Sequence, residues 1–299
     1  MTYSVVIPTV GRPSLNDLLD ALVEGSGPEP LEIIVVDDRE TGLGPASARN
    51  TGWREARGEW VAFLDDDVVL APDWKEQVSA DLADLPEDVG ASQARIVVPL
   101  PEDRRPTDAE RGTAGLANAR WITADMAYRR EALARAGGFD ERFPRAYRED
   151  AELALRVQDL GYRIVRGSRV TTHPVKPATF MTSVDQQRGN ADDALMRRLV
   201  GAGWRSRIGG QRGRLRTHVI TTAAGLGSIL CGLTGRRRIA VLLGTVWAAL
   251  TGWFAVKRIA PGPRTWDEIA RMVVTSALIP PAACAHRIRG EMRYRRVRP

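Results

Sequence analysis

The chain has 299 residues, 43% hydrophobic and 27% charged, which excludes global disorder and leaves room for one large domain or two. Its net charge of +6 hides an asymmetry: residues 1–187 carry 22 basic and 32 acidic side chains, residues 188–299 carry 21 and 5. An acidic front and a basic back predict two regions with different surroundings.

In chain order, Ser4–Pro8 is a β-branched run ended by Pro8, which predicts a strand feeding a loop. The opening MTYSVVIPTVGRP has no basic stretch followed by an apolar one, so no signal peptide is expected and the front region is expected to be cytoplasmic. Leu15, Leu18, Leu19 and Leu22 recur at helical spacing. Leu31–Val36 and Trp60–Leu64 read as strands stopped by aspartates, with a helix over Ala46–Ala56 between them. Trp74–Leu85 reads as a helix and Ala94–Val98 as a strand. Pro99–Arg120 is a long polar connection. Trp121–Tyr128 alternates as a strand, Glu131–Ala136 is a short helix, Asp150–Leu160 is an amphipathic helix, and Tyr162–Val165 is a short strand leading to His173. This alternation predicts an α/β fold with a mostly parallel sheet, its apolar strands covered on both faces.

In such folds chemistry collects beyond the carboxyl ends of the strands. The first three strands end in Pro8-Thr9, Asp37-Asp38 and Asp65-Asp66-Asp67. Mg²⁺ and Mn²⁺ prefer oxygen ligands and bind through one or two carboxylates plus substrate phosphates, so the triple aspartate is a candidate metal and diphosphate centre. Taken alone, it is also what a solvated acidic turn looks like. Glu149-Asp150 precedes a helix and reads either as a cap or as a general base. His173 by itself carries no assignment.

SVVIPTVGR, EIIVVDD, GPASARNTGWREARGEWVAFLDDDVVLAPDW, GGFDERF and REDAELALRVQDLGYRI follow one another in order. Over about residues 3–175 the chain resembles the family 2 glycosyltransferases of the GT-A fold, a Rossmann-like α/β architecture. The resemblance implies an inverting, metal-dependent transfer of a sugar from a nucleotide-diphosphate sugar to an acceptor hydroxyl. It places Pro8, Thr9, Arg12 and Asp37 at the nucleotide, and Arg49 at the ribose or diphosphate. Asp65 or Asp66 would meet the ribose, Asp67 and His173 would bind the Mg²⁺ or Mn²⁺, and Asp150 would be the catalytic base. Processive relatives carry Q-x-x-R-W; here Gln186-Gln187-Arg188-Gly189 lacks the tryptophan, so transfer of single sugars is expected. Asp125 stands near the sugar or acceptor in this reading, with its role open. One rival is a nucleotidyltransferase, for which PTVGRPS supplies little of a Gly-rich basic loop. Another is a catalytically silent GT-A module that anchors partners at a membrane, which need not retain Asp65, Asp67 and Asp150.

The back region is different in kind. Thr217–Leu233 and Ile239–Val256 lack charged residues if His218 is neutral, and Met272–Ala285 is a third apolar stretch broken by Pro280-Pro281. The 18 residues of the second run are at the lower limit for a span of about 20, and Trp247 and Trp253 suit an interface. Arg197, Arg198, Arg205, Arg207, Arg212, Arg214 and Arg216 precede the first run, a pattern that fits an anionic membrane surface rather than nucleic acid. Cys231 and Cys284 lie in these apolar stretches and build neither a disulfide framework nor a zinc site. The expected organisation is a GT-A catalytic domain at 1–190 and a helical membrane-associating region at 191–299, on the cytoplasmic face of the cell membrane. A shallow hairpin, two short spans and interfacial helices all satisfy the pattern. A lipid-linked or cell-envelope glycan is the expected acceptor.

Overall fold

The computed structural model describes residues 1–211 and 213–297; Arg212, one of the predicted basic cluster, lies outside them. The described chain divides into two units. The first comprises Met1–Pro99, Ala114–Val175 and Gly203–Gly210, the second Leu100–Thr113, Lys176–Ala202 and Gln211–Pro299.

The elements run β1 (Tyr3–Thr9), α1 (Ser14–Glu24), β2 (Ile33–Asp37), α2 (Pro45–Glu55), β3 (Trp60–Leu64), β4 (Val69–Leu70), α3 (Trp74–Ala83) and β5 (Val89–Val97). They continue with α4 (Asp108–Ala114), β6 (Asp125–Arg129), α5 (Arg130–Ala136), α6 (Glu149–Asp159) and β7 (Arg163–Thr172). Among the described residues these strands form one sheet in the order β2-β1-β3-β6-β5-β7-β4. β1 pairs parallel with β2 and β3, and β5 parallel with β7, while β6 runs antiparallel between β3 and β5. The sheet is therefore mixed, with the expected parallel pairing kept around β1.

Strand alternation splits the core into two layers. Tyr3, Val5 and Ile7 of β1 and Trp60, Ala62 and Leu64 of β3 pack with Leu18 and Leu22 of α1 and Trp74, Val78 and Leu82 of α3. Val6, Val61 and Phe63 point the other way, against Ala46, Leu133, Leu153 and Val157 of the α2, α5 and α6 side. A period of two along each strand makes this division unavoidable once both faces are covered. Each such fully buried side chain contributes about 1.5–3 kcal/mol relative to exposure.

Three boundaries differ by four residues or more from the sequence expectation. β5 begins at Val89, five residues early, because Ala91, Ser92 and Gln93 are buried between β6 and β7 despite their small or polar side chains. β6 begins at Asp125 rather than Trp121, and Trp121 itself adopts φ +64°. β7 continues to Thr172, since Arg166 and Val170–Thr172 pair with β5, and Arg169 is buried at the irregularity between them. The polar connection after β5 contains α4 and a short 3₁₀ turn at Gly115–Asn118.

The remaining helices are α7 (Thr182–Asp185), α8 (Gly189–Val200), α9 (Trp204–Arg207), α10 (Leu215–Leu233), α11 (Arg237–Ile259) and α12 (Trp266–Arg293). α11 and α12 are long and apolar enough to cross a membrane, with mean hydropathies of 1.9 and 1.2 over 18 residues. α12 runs unbroken through Pro280 and Pro281, contrary to the expected interruption. An interior proline costs a helix about 3 kcal/mol. Here Thr275, Ser276, Ile279, Pro280 and Ala283 are buried along one face, and that packing offsets the cost.

Candidate active site

The carboxyl ends of β1, β2, β3 and β7 face one edge of the sheet, as their pairing directions require. Immediately after Asp65-Asp66-Asp67 the chain enters β4, which pairs antiparallel with β7 through Val69↔Thr172 and Leu70↔Thr171. That short ladder brings His173, the next residue of the chain after β7, beside the aspartate run. The His173 Nε2 lies 3.8 Å from Asp67 Oδ1. Asp65, Asp67 and His173 each offer a ligand atom, all within 4.8 Å of one another.

His173 is oriented for such a role. Its backbone N–H donates to the Val97 carbonyl at 2.8 Å, and Nδ1 sits 3.0 Å from the Pro174 carbonyl. A carbonyl only accepts, so the Nδ1 proton is held there and Nε2 is left as the acceptor. This is the outer-shell hydrogen bond that metal-binding histidines usually carry.

The three aspartates do different work. Asp66 is buried, and its carboxylate accepts from Thr9 Oγ1 at 2.6 Å and from the Arg12 guanidinium at 2.5 Å. Thr9 Oγ1 in turn accepts from the Gly11 N–H, where φ is +75°. A β-carbon at Gly11 would come within 2.8 Å of the Arg39 guanidinium, so the loops after β1 and β2 approach closely there. Asp66 thus ties the first loop to the third strand end.

Arg49, on α2, is 1% exposed and forks between two carboxylates, Asp65 Oδ1 and Glu149 Oε1, each at 2.8 Å. Burial works against its charge, but Asp65, Glu149 and Asp150 outweigh burial and raise its pKa further. The guanidinium expected at the ribose or diphosphate links the aspartate run to α6. Sequence reading missed this bridge, because the two partners are separated from Arg49 by 16 and 100 positions.

At the start of α6, Arg148 takes φ +83°, a left-handed conformation costly for a residue with a side chain. Its guanidinium stacks over Tyr147 and Trp204, at 4.3 and 4.7 Å from the ring centroids. The next two residues are Glu149, which is buried, and Asp150, which is half-buried. Burial first, and then the neighbouring Asp150, push the Glu149 carboxyl up to about 8, against the pull of Arg49. Burial likewise raises Asp150, opposed by the Ala151 N–H at 2.6 Å and by Arg49 and Arg148. A carboxyl lifted from its ordinary range is suited to accept a proton near neutral pH.

Pro8 is buried within β1 opposite Val36. Asp37 is exposed, and hydrogen bonds from the Arg39 side chain and N–H hold its pKa below the usual carboxylate value. Asp38 accepts from the Leu43 and Gly44 N–H groups and shapes the loop into α2. Asp125 is not at an open site. It is fully buried, accepting from Trp74 Nε1 at 2.7 Å, Arg169 Nε at 2.8 Å and Thr171 Oγ1 at 2.6 Å. A cleft of about 910 Å³ lined by Glu59, Asp88, Arg129 and Tyr162 contains none of the candidate residues.

The sequence profile described as glycosyl transferase family 2 matches residues 39–143, which include the aspartate run. Over these residues the chain is similar to the family 2 glycosyltransferases. Glu149, Asp150 and His173 lie beyond the matched residues and join the site through the fold. An uncharacterized glycosyltransferase of Haemophilus influenzae is 30% identical over 96 residues, 25% of this chain and 32% of that protein. The chain therefore spans about a third of the length of this relative. Among solved structures, the mannosyltransferase PcManGT from Pyrobaculum calidifontis, in complex with GDP-Man and Mn²⁺, is similar with a TM-score of 0.54 and 19% identity. The alignment covers 96% of this chain and 86% of that one, and it establishes the GT-A fold.

Proposed function

We propose that the chain is an inverting glycosyltransferase that moves a sugar from a nucleotide-diphosphate sugar to an acceptor hydroxyl, assisted by Mg²⁺ or Mn²⁺. The observation that carries this reading is the gathering of Asp65, Asp67 and His173 within 4.8 Å at a strand edge, linked through Arg49 to Glu149 and its neighbour Asp150. Two carboxylates and an imidazole with a free Nε2 acceptor fit a hard divalent cation. Asp67 and His173 would hold it, with Asp65 at its margin or at the ribose. When bound there, the metal supplies Lewis-acid neutralisation of the charge on the departing diphosphate. The solved complex of PcManGT with GDP-Man and Mn²⁺ supports the same pairing of nucleotide sugar and metal.

The chain's own residues supply the rest. Pro8, Thr9, Arg12 and Asp37 form the rim that receives the nucleotide. Asp66 holds Thr9 and Arg12 in place. Asp150 takes the proton of the acceptor hydroxyl as its oxygen attacks the anomeric carbon on the face opposite the diphosphate, a single displacement that inverts that carbon. Arg49 keeps Asp65 and Glu149 in register. We assign catalysis to residues 1–190 and membrane association to 191–299, at the cytoplasmic face of the cell membrane with a lipid-linked or envelope acceptor. The exposed apolar residues of α10 and α11, such as Leu226, Ile229, Leu233, Val241 and Leu242, support the second assignment.

The test is transfer or hydrolysis from a panel of nucleotide sugars with Mn²⁺. Wild type should act on at least one, and Asp150→Asn and Asp67→Ala should lose roughly a hundredfold or more in kcat. Full activity in both variants, or no nucleotide-sugar binding at all, would overturn the mechanism.

A further inference from the structure

α10 and α11 pack antiparallel through small residues. A β-carbon on Gly225 would meet Trp247 at 2.8 Å and one on Gly227 would meet Leu243 at 2.9 Å. The Ser228 hydroxyl donates to the Ala240 carbonyl at 2.8 Å. Where α12 joins this pair, a cleft of about 480 Å³ opens, lined by Leu226, Ile229, Trp247, Ala248, Ala277 and Pro280. The polar side chains on its wall are the hydroxyls of Thr222 and Ser228 and the Trp247 indole. Proline at 280 and 281 and glycine at 225 and 244 leave the space that larger side chains would fill.

A second cavity of about 70 Å³ shares Pro280 with the first and lies on the side of the start of α10. Its lining changes character: Arg214, Thr217, His218 and Thr221 are there, beside Trp253 and Phe254. Arg214 lies over the Phe254 ring at 5.6 Å. The stretch 194–266, which includes α10 and α11, contains no Asp or Glu. An apolar cleft that ends in a cation and hydroxyls is complementary to an amphiphile with an anionic head.

We propose that the α10–α11–α12 cleft is a specific site for an anionic phospholipid, with one acyl chain along Leu226, Ile229 and Ala248 and the phosphate at Arg214. The proposal rests on the membrane association assigned to this unit. It goes further by naming a discrete lipid position where general adsorption needs none.

The experiment uses the full-length chain on mixed phosphatidylcholine–phosphatidylglycerol vesicles. A phosphatidylglycerol probe with a mid-chain diazirine is photolysed, and labelled peptides are mapped by mass spectrometry. Label should concentrate in residues 222–229, 244–248 and 277–281, and unlabelled phosphatidylglycerol should compete where phosphatidylcholine does not. Ala248→Phe with Ala277→Phe, both at the cleft rim, should cut that labelling roughly tenfold while vesicle flotation persists. Arg214→Gln should remove the preference for phosphatidylglycerol, a change of roughly tenfold in competition. Label spread evenly over the outward faces and indifferent to these variants would overturn the site, leaving only bulk lipid contact. Displacement by a polyisoprenyl phosphate with no retention of phosphatidylglycerol would overturn it equally. Loss of flotation in the wild type would refute the membrane reading itself, a result distinct from flotation with uniform labelling.

Discussion

Replacing Arg49 tests whether the bridge between Asp65 and Glu149 organises the site. Arg49→Leu removes a guanidinium that is 1% exposed and makes charge-assisted hydrogen bonds of 2.8 Å to both carboxylates. Glu149 is itself 1% exposed, and its Oε2 has no hydrogen-bond partner among the described residues, so Arg49 is its principal compensation. Removing one member of a buried ion pair costs about 3–5 kcal/mol, because the other charge is left uncompensated. Urea denaturation should show a loss of that order above about pH 8, where Glu149 is ionised. The loss should shrink as pH falls, because protonation of Glu149, already lifted to about 8, removes the stranded charge. Arg49→Lys should recover only part of it, since an ammonium cannot reproduce the fork that meets two carboxylates. Arg49→Leu with Glu149→Leu should be more stable than Arg49→Leu alone. A destabilisation below about 1 kcal/mol in Arg49→Leu, or one that grows toward acid pH, would refute the reasoning.

Other expectations follow from the same geometry. His173→Ala and Asp67→Ala should each weaken Mn²⁺ binding measured by calorimetry by roughly tenfold or more, while Asp66→Asn should act chiefly on stability through the lost Thr9 and Arg12 contacts. The pH profile of kcat/KM should have an acid limb above the ordinary carboxylate range, because burial raises Asp150 and the base form disappears as pH falls through that value. A limb unchanged by Asp150→Asn would assign it to another group. The raised Glu149 should make folding less favourable as pH rises from the ordinary carboxylate range to about 8, where it loses its proton in the folded state. Asp125→Leu should lower stability by about 3–5 kcal/mol by stranding the buried Arg169, yet leave Mn²⁺ affinity within twofold of wild type.

The order of apolar runs and the residues that stop them determined most of what the chain alone could reveal. β-branched strands ending in Thr9, Asp37 and Asp65 already mark the edge where the site forms, because side-chain period and strand termination are local properties. The five ordered blocks carried the family and the GT-A fold. Uncharged stretches bounded by arginine likewise set α10 and α11 apart before any coordinate was known. What only the tertiary structure decided are the relations across long separations. Asp66 accepts hydrogen bonds from Thr9 and Arg12, and Arg49 bridges Asp65 and Glu149. Asp125 was buried against Arg169, while the two-residue ladder of β4 on β7 brought His173 to Asp67. Their physical reason is shared. A carboxylate or guanidinium is defined by the partner that compensates its charge, and that partner lies 16 to 106 residues away, where no local pattern records it.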